Sequence, residues 1–200
     1  ALHLDDSVTC WGHGRQKELE VPEGHRFVDL AVGAHYGCAL DHDGRVTCWG
    51  DDEGQRANPP DRLFTAISGG PGRVCGLPRD GAGIVCFGPK VGSPPASGAY
   101  DQISVGDSHA CALTVDGTVD CWAAGSREAR QKPRKAPPSA GQTNAPDGRF
   151  QNLSAGAHHT CATRDDGTLV CWGLGSDLHT AEHPLDFNQA SARSTVIRNR

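Results

Sequence analysis

Apolar and polar positions repeat in phase four times along the chain. An aromatic residue is followed three positions on by Ile or Leu and six positions on by Gly: Phe27, Leu30 and Gly33; Phe64, Ile67 and Gly70; Tyr100, Ile103 and Gly106; Phe150, Leu153 and Gly156. Five residues after each glycine stands a cysteine, Cys38, Cys75, Cys111 or Cys161. A stretch centred on Asp-Gly (Asp43-Gly44, Asp80-Gly81, Asp116-Gly117, Asp166-Gly167) then leads to a second cysteine, an aromatic and a small residue: Cys48-Trp49-Gly50, Cys86-Phe87-Gly88, Cys121-Trp122-Ala123 and Cys171-Trp172-Gly173. Asp-Gly predicts a tight turn, because glycine takes positive φ without steric cost. Each unit therefore reads as strand, glycine turn, strand, hairpin, strand and variable loop, making one small antiparallel sheet. Such a sheet cannot bury its faces alone, so neighbouring units must stack. Trp11, Trp49, Trp122 and Trp172 are the expected filler between sheets.

The cysteine spacings are 10, 11, 10 and 10. Ten-residue spacing fits a three-residue loop at positions 42, 43 and 44, with Gly44 left-handed. Position 41 then pairs with 45, 40 with 46, 39 with 47 and Cys38 with Cys48. Facing cysteines in an antiparallel ladder lie ~4.5–5.5 Å apart at Cα, within disulfide reach. The expected bridges are Cys38–Cys48, Cys75–Cys86, Cys111–Cys121 and Cys161–Cys171. Zinc thiolates are the competing reading, but there is no Cys-x-x-Cys and the spacing does not match the usual ligand pairs. The third copy carries one extra residue and predicts a longer turn, Asp80-Gly81-Ala82-Gly83. A fifth copy, Cys10-Trp11-Gly12, follows Asp5-Asp6-Ser7, a turn without glycine, and its partner position would be residue 0. Cys10 is therefore unpaired or intermolecular, and the first repeat is read as cut in its middle.

Nine cysteines at regular spacing indicate an oxidising compartment, hence a secreted protein or an ectodomain. A net charge of −5 argues against a nucleic-acid binder. No apolar run approaches the ~20 residues that span a bilayer. With no methionine, the chain is expected to be a processed or excised part of a longer product. The repeats divide it into residues 1–26 (partial), 27–63, 64–99, 100–149 and 150–185, with a tail at 186–200. The fourth unit is lengthened by residues 126–148, a Pro-rich stretch carrying Arg127, Arg130, Lys132, Arg134 and Lys135. This is expected to be a solvated loop, and its basic side chains are candidates for docking an acidic partner. In the tail, Thr195-Val196-Ile197 has strand character and can supply the strand that the first repeat lacks.

No nucleophile elbow, zincin helix motif or phosphate-binding loop is present, so no catalytic residue and no cofactor are expected. His35, His109, His158 and His159 stand before first cysteines at similar points of different repeats, and a ring of imidazoles can bind metal. Replacement of the equivalent position by Tyr36 and Arg73 weakens that reading, and no metal is expected. Asn152-Leu153-Ser154 is a glycosylation sequon inside an expected first strand.

The phrase aromatic-x-x-Ile/Leu-x-x-Gly-x-x-His-x-Cys-Ala-Leu-x-x-Asp-Gly-x-Val-x-Cys-Trp-Gly resembles the regulator of chromosome condensation repeat. Residues 100–122 carry Gly106, His109, Cys111, Asp116, Gly117, Cys121 and Trp122 of it; residues 150–173 carry His159 and Cys161. Short repeats with a cysteine pair in each hairpin look like the secreted members, such as the propeller-type β-lactamase inhibitor, and like crinkly-type receptor ectodomains. The resemblance implies an all-β fold, a β-propeller of four-stranded blades. About five blade-like repeats are counted where the family usually has seven. The alternatives are a small closed ring, part of a larger propeller, or completion by another chain. The expected function is non-catalytic binding of a protein or other extracellular macromolecule through the loops His13–His25, Asp51–Arg62, Lys90–Ala99 and the basic stretch. The alternatives are an enzyme inhibitor and a structural module that self-assembles through the incomplete first repeat.

Overall fold

The structure is a computed structural model, and it describes residues 1–14, 17–51, 58–123 and 141–173. Among the described residues, twelve strands form four three-stranded antiparallel sheets, each from consecutive strands. These are β1 (Phe27–Gly33), β2 (Tyr36–Asp41) and β3 (Val46–Gly50); β4 (Phe64–Gly70), β5 (Arg73–Pro78) and β6 (Val85–Phe87); β7 (Tyr100–Val105), β8 (His109–Thr114) and β9 (Val119–Ala123); β10 (Phe150–Ala155), β11 (His159–Arg164) and β12 (Leu169–Gly173). The resemblance implies a fourth strand per blade, whereas each described sheet has three. Pro59-Pro60 and Pro94-Pro95 lie where a fourth strand would run after the first and second sheets. Proline has no N–H for a ladder, which disfavours strand pairing there.

The hairpin register is the one the cysteine spacing predicts. Leu40 faces Val46, Ala39 faces Thr47 and Cys38 faces Cys48, and Gly44 is left-handed at φ 88°. The Asp41 N–H donates to the Arg45 carbonyl, so that pair is hydrogen-bonded. Three steps along the alternation, the cysteine pair is a narrow, non-hydrogen-bonded one. All four expected disulfides form, with Cα separations of 4.0–4.1 Å, on the narrow side of the sequence expectation.

The cores lie between successive sheets. Phe64, Ile67 and Val74 meet Tyr36, Cys38 and Leu40 of the first sheet. Leu77 meets Ile103 and Trp122, and Leu113 meets Phe150 and Trp172. Burying each large apolar side chain contributes roughly 1.5–3 kcal/mol. Each inner strand carries a bulge after its aromatic residue, at Val28, Thr65, Asp101 and Gln151. The bulge adds one residue to the strand's alternation. It places the aromatic and the Ile or Leu three positions later on one face, toward the preceding sheet.

Residues 1–12 reproduce the far end of one more hairpin. Leu2 bridges Val8, the same spacing as Leu40 to Val46. Asp6 sits at φ 65° where the other turns have glycine. The Phe27 N–H donates to the Asp6 carbonyl just as Phe64 N–H does to Gly44 and Phe150 N–H to Gly117. Leu2, Val8 and Cys10 pack on Phe27, Leu30, Ala39 and Trp49. Trp49, Trp122 and Trp172 are buried as expected, but Trp11 is corrected: it is 73% exposed. Trp122 and Trp172 are enclosed between sheets, and Trp49 is covered by Leu2, Val8, Cys10 and Val21.

Candidate functional site

The four inner strands β1, β4, β7 and β10 line a common cleft of about 520 Å³. Its polar lining includes Asp29, Ser68, Asp101, Gln102, Ser104 and Ser154, and among the described residues no Lys, Arg or His lines it. Because of the bulge, the second and fourth residues after each aromatic point toward the following sheet. These side chains clamp the next inner strand by its backbone. The Ile67 N–H donates to Asp29 Oδ2 at 3.0 Å, and the Val105 N–H to Ser68 Oγ at 3.0 Å. At the third junction both positions are polar. Gln102 accepts from the Leu153 N–H at 2.9 Å and donates to the Leu153 carbonyl at 3.1 Å, while Ser104 Oγ accepts from the Ala155 N–H at 2.8 Å.

A second series of bonds runs through the position three after each glycine. The Tyr36 hydroxyl is 2.6 Å from both the Gly70 and Arg73 carbonyls. Arg73 Nη2 donates to the Gly106 carbonyl at 2.8 Å and the His109 carbonyl at 2.6 Å. His109 Nε2 lies 2.6 Å from Thr160 Oγ1. Tyr36, Arg73 and His109 are each 0–1% exposed. Tyr36 and Arg73 stand where the motif has histidine. With His109 they are three different side chains making the same kind of crossing to the next sheet. The glycines make room for it: a Cβ on Gly70 would lie 2.6 Å from the Gly106 carbonyl oxygen, and one on Gly106 would collide with that of Gly156.

Burial fixes the charge states of this ladder. It pushes the His109 imidazole down to about 4, helped by the neighbouring Arg73 guanidinium, so His109 is neutral at pH 7. Burial also weighs against the Arg73 charge, yet a guanidinium stays protonated; here backbone carbonyls solvate it. At the surface, Tyr100 donates to Asp120 Oδ2 at 2.8 Å, and burial, then the carboxylate, raises its phenol to about 12.

The other candidate residues are dispersed. His109 is inside the ladder, whereas His35, 3.8 Å from Glu18, and His158 and His159 are exposed. Among the described residues no cluster of three or more His, Cys, Asp or Glu is placed to hold a metal ion. Cys10 is a half-buried free thiol against the Trp49 cluster, and burial raises its pKa. Asn152 is exposed on β10. Of the binding loops, residues 13–14, 17–25, 51, 58–62 and 90–99 are described. Glu18 in the first accepts from Trp49 Nε1 at 3.1 Å, and Gln142, before the fourth sheet, accepts from Trp172 Nε1 at 3.0 Å. The basic residues Arg127, Arg130, Lys132, Arg134 and Lys135, and the tail at 186–200, lie outside the described residues. Among the described residues no helix is long and apolar enough to cross a membrane.

Four disulfide-stapled sheets around an inner cleft, joined by side-chain crossings at fixed repeat positions, define an all-β propeller-type repeat fold. Residues 100–122 and 150–177 match the family model for the regulator of chromosome condensation (RCC1) repeat, and the first two sheets share the same register. The fold is similar to the crinkly WD40 ectodomain of the Arabidopsis thaliana receptor kinase ACR4, at 28% identity and TM-score 0.58, over 76% of this chain and 51% of that one. It is similar also to the entire ectodomain of the Physcomitrella patens receptor kinase CR4, at 25% identity and TM-score 0.66, over 83% and 46%. Yeast RCC1 (Prp20), solved bound to Kap60, shares the fold at 18% identity and TM-score 0.56, over 78% and 45%. The chain thus spans about half the length of each of these three solved structures.

Proposed function

We propose that the chain is an extracellular, non-catalytic binding module that recognises a protein partner through the loops between its sheets. The observation that carries this reading is the division of labour in the fold. Disulfides, clamps and the buried ladder fix the sheets, and the inter-repeat loops are tied to that frame at points such as Glu18, Lys90 and Gln142. Loops held on a rigid frame are suited to recognition. Four cross-strand disulfides fit an oxidising compartment, and the similarity to two receptor-kinase ectodomains supports the same location. Within this reading the basic stretch 126–148 is an arm for an acidic partner surface.

The test is cross-linking mass spectrometry on intact cells of the source organism. The purified chain is compared with variants in which residues 19–25, 90–95 or 127–135 are replaced by Gly-Ser sequence. One protein is expected to cross-link to the parent chain and to be lost from at least one loop variant of unchanged melting temperature. A partner retained by all three variants, or none captured by the parent, overturns the reading.

A structural role through Cys10 is less well supported. Its thiol is packed against Trp49 and held protonated by burial, which opposes thiolate chemistry. A ladder of oligomers on non-reducing electrophoresis, lost on reduction, would reverse that ranking.

A further inference from the structure

The outward face of the fourth sheet differs from its three counterparts. At the ladder position Tyr36, Arg73 and His109 are buried, but His159 is exposed. Cys38, Cys75 and Cys111 are 0% exposed, whereas Cys161 is half-buried. Ser104 is half-buried and Ser154 exposed. In each earlier sheet these positions are covered by the inner strand of the sheet that follows. What covers them is therefore known three times over from this same molecule.

The polar groups on the exposed face match that task. Asn152 and Ser154 stand at the register of Gln102 and Ser104, which together hold the Leu153 and Ala155 backbone. Asn152 has the length of Asp29, and Asp29 reaches the next strand's N–H at 3.0 Å. It has the amide of Gln102, which serves both an N–H and a C=O. His159 continues the ladder that His109 ends on Thr160.

We infer that Asn152, Ser154 and His159 form a strand-receiving site whose occupant is one further blade of the same repeat type, docked by its inner strand. Asn152 grips the backbone N–H and C=O of the residue three after that strand's aromatic, and Ser154 the N–H two residues on. His159 points to the polar groups beyond the following glycine turn. The sequon asparagine is on this account a joint between blades and carries no glycan. The inference is independent of the loop-binding reading.

The experiment fuses a second copy of residues 141–173 to the end of the full chain through a flexible linker and compares it with the parent by NMR. Closure of the added disulfide, read by mass spectrometry, reports whether the added hairpin has formed. In the fusion, exchange of the Asn152 side-chain amide is expected to slow about tenfold, toward the rate of the Gln102 amide, as a docked group is protected. The His159 ring resonances should shift, and the shift should vanish in the fusion carrying Asn152→Ala and Ser154→Ala. Unchanged Asn152 and His159 signals with the added disulfide closed overturn the inference. If that disulfide stays open, the capped peptide of sequence 150–156 is added in trans. Saturable shifts at Asn152, Ser154 and His159 then support the site, and their absence overturns it. Concentration-dependent protection of the same residues in the unfused parent assigns the face to a second copy and overturns the stated occupant. A glycan on Asn152 in the parent secreted from a eukaryotic host overturns it as well.

Discussion

At the scale of single residues, the ladder decides where stability resides. The Tyr36 hydroxyl sits between two carbonyls of the second sheet that have no water to turn to. Tyr36→Phe is expected to cost about 1–3 kcal/mol, the penalty of leaving buried acceptors unsatisfied, measured by denaturant unfolding. His109 gives the molecule an acid limit. Its pKa is depressed to about 4 in the fold from an ordinary 6.5. Below pH 6.5 the unfolded chain takes up a proton that the folded chain refuses, so stability is present above that pH. It is lost progressively as pH falls toward 4, by roughly 3 kcal/mol across the window. A melting temperature that stays flat between pH 6.5 and 4.5, or that changes identically in His109→Gln, would contradict this.

At the scale of elements, the hairpin carries the fold. Removing Cys111 and Cys121 together as alanines is expected to destabilise the third sheet by about 2–3 kcal/mol, because the bridge closes a short loop. Thermal melts of the double variant check it. The turn residues make a paired prediction. Asp6 and Gly44 occupy the same left-handed place at φ 65° and 88°. Asp6→Gly should therefore be neutral or slightly stabilising, whereas Gly44→Ala should cost about 1 kcal/mol or more. The hairpins were legible in sequence since cysteine spacing and Asp-Gly jointly determine a register. The bulges were not. A spacing of three between Phe27 and Leu30 is visible, but whether it marks a helix, a turn or a bulged strand depends on pairing with a partner strand. The clamps were hidden with them, because which face Asp29 or Gln102 occupies follows only once the bulge is known. Tyr36 and Arg73 misled for a different reason. They share no chemistry with histidine except a donor at sufficient reach, and reach is a property of the packed sheets.

At the scale of the whole molecule, the junctions between sheets are unequal. Beside the ladder, the inner strands are clamped by Asp29 at the first junction and Ser68 at the second, with Ala31 and Ala66 at the other clamp positions, whereas the third has both Gln102 and Ser104. Native-state hydrogen exchange is expected to show the third and fourth sheets separating last. Earlier exchange of the Leu153 and Ala155 amides than of Ile67 and Val105 would refute that order. Stacking of the repeats and the placement of the cores between sheets were anticipated from the period alone. The exposure of Trp11 was not, since the motif around it is the same as around its buried counterparts and differs only in what lies next to it.

A chain made of near-copies faces an assembly hazard, because any sheet resembles the proper neighbour of any other. The Tyr36–Arg73–His109 series answers it. A phenol, a guanidinium and an imidazole differ in length, charge and number of donors; the first two end on the carbonyls of the glycine and of the residue three after it in the next sheet, the third on the Thr160 hydroxyl. A sheet placed out of turn would bring a side chain of the wrong reach or charge to those groups in a dry interior. The ladder thus works as an addressing system in which the reach and charge of one side chain tell each junction from the next.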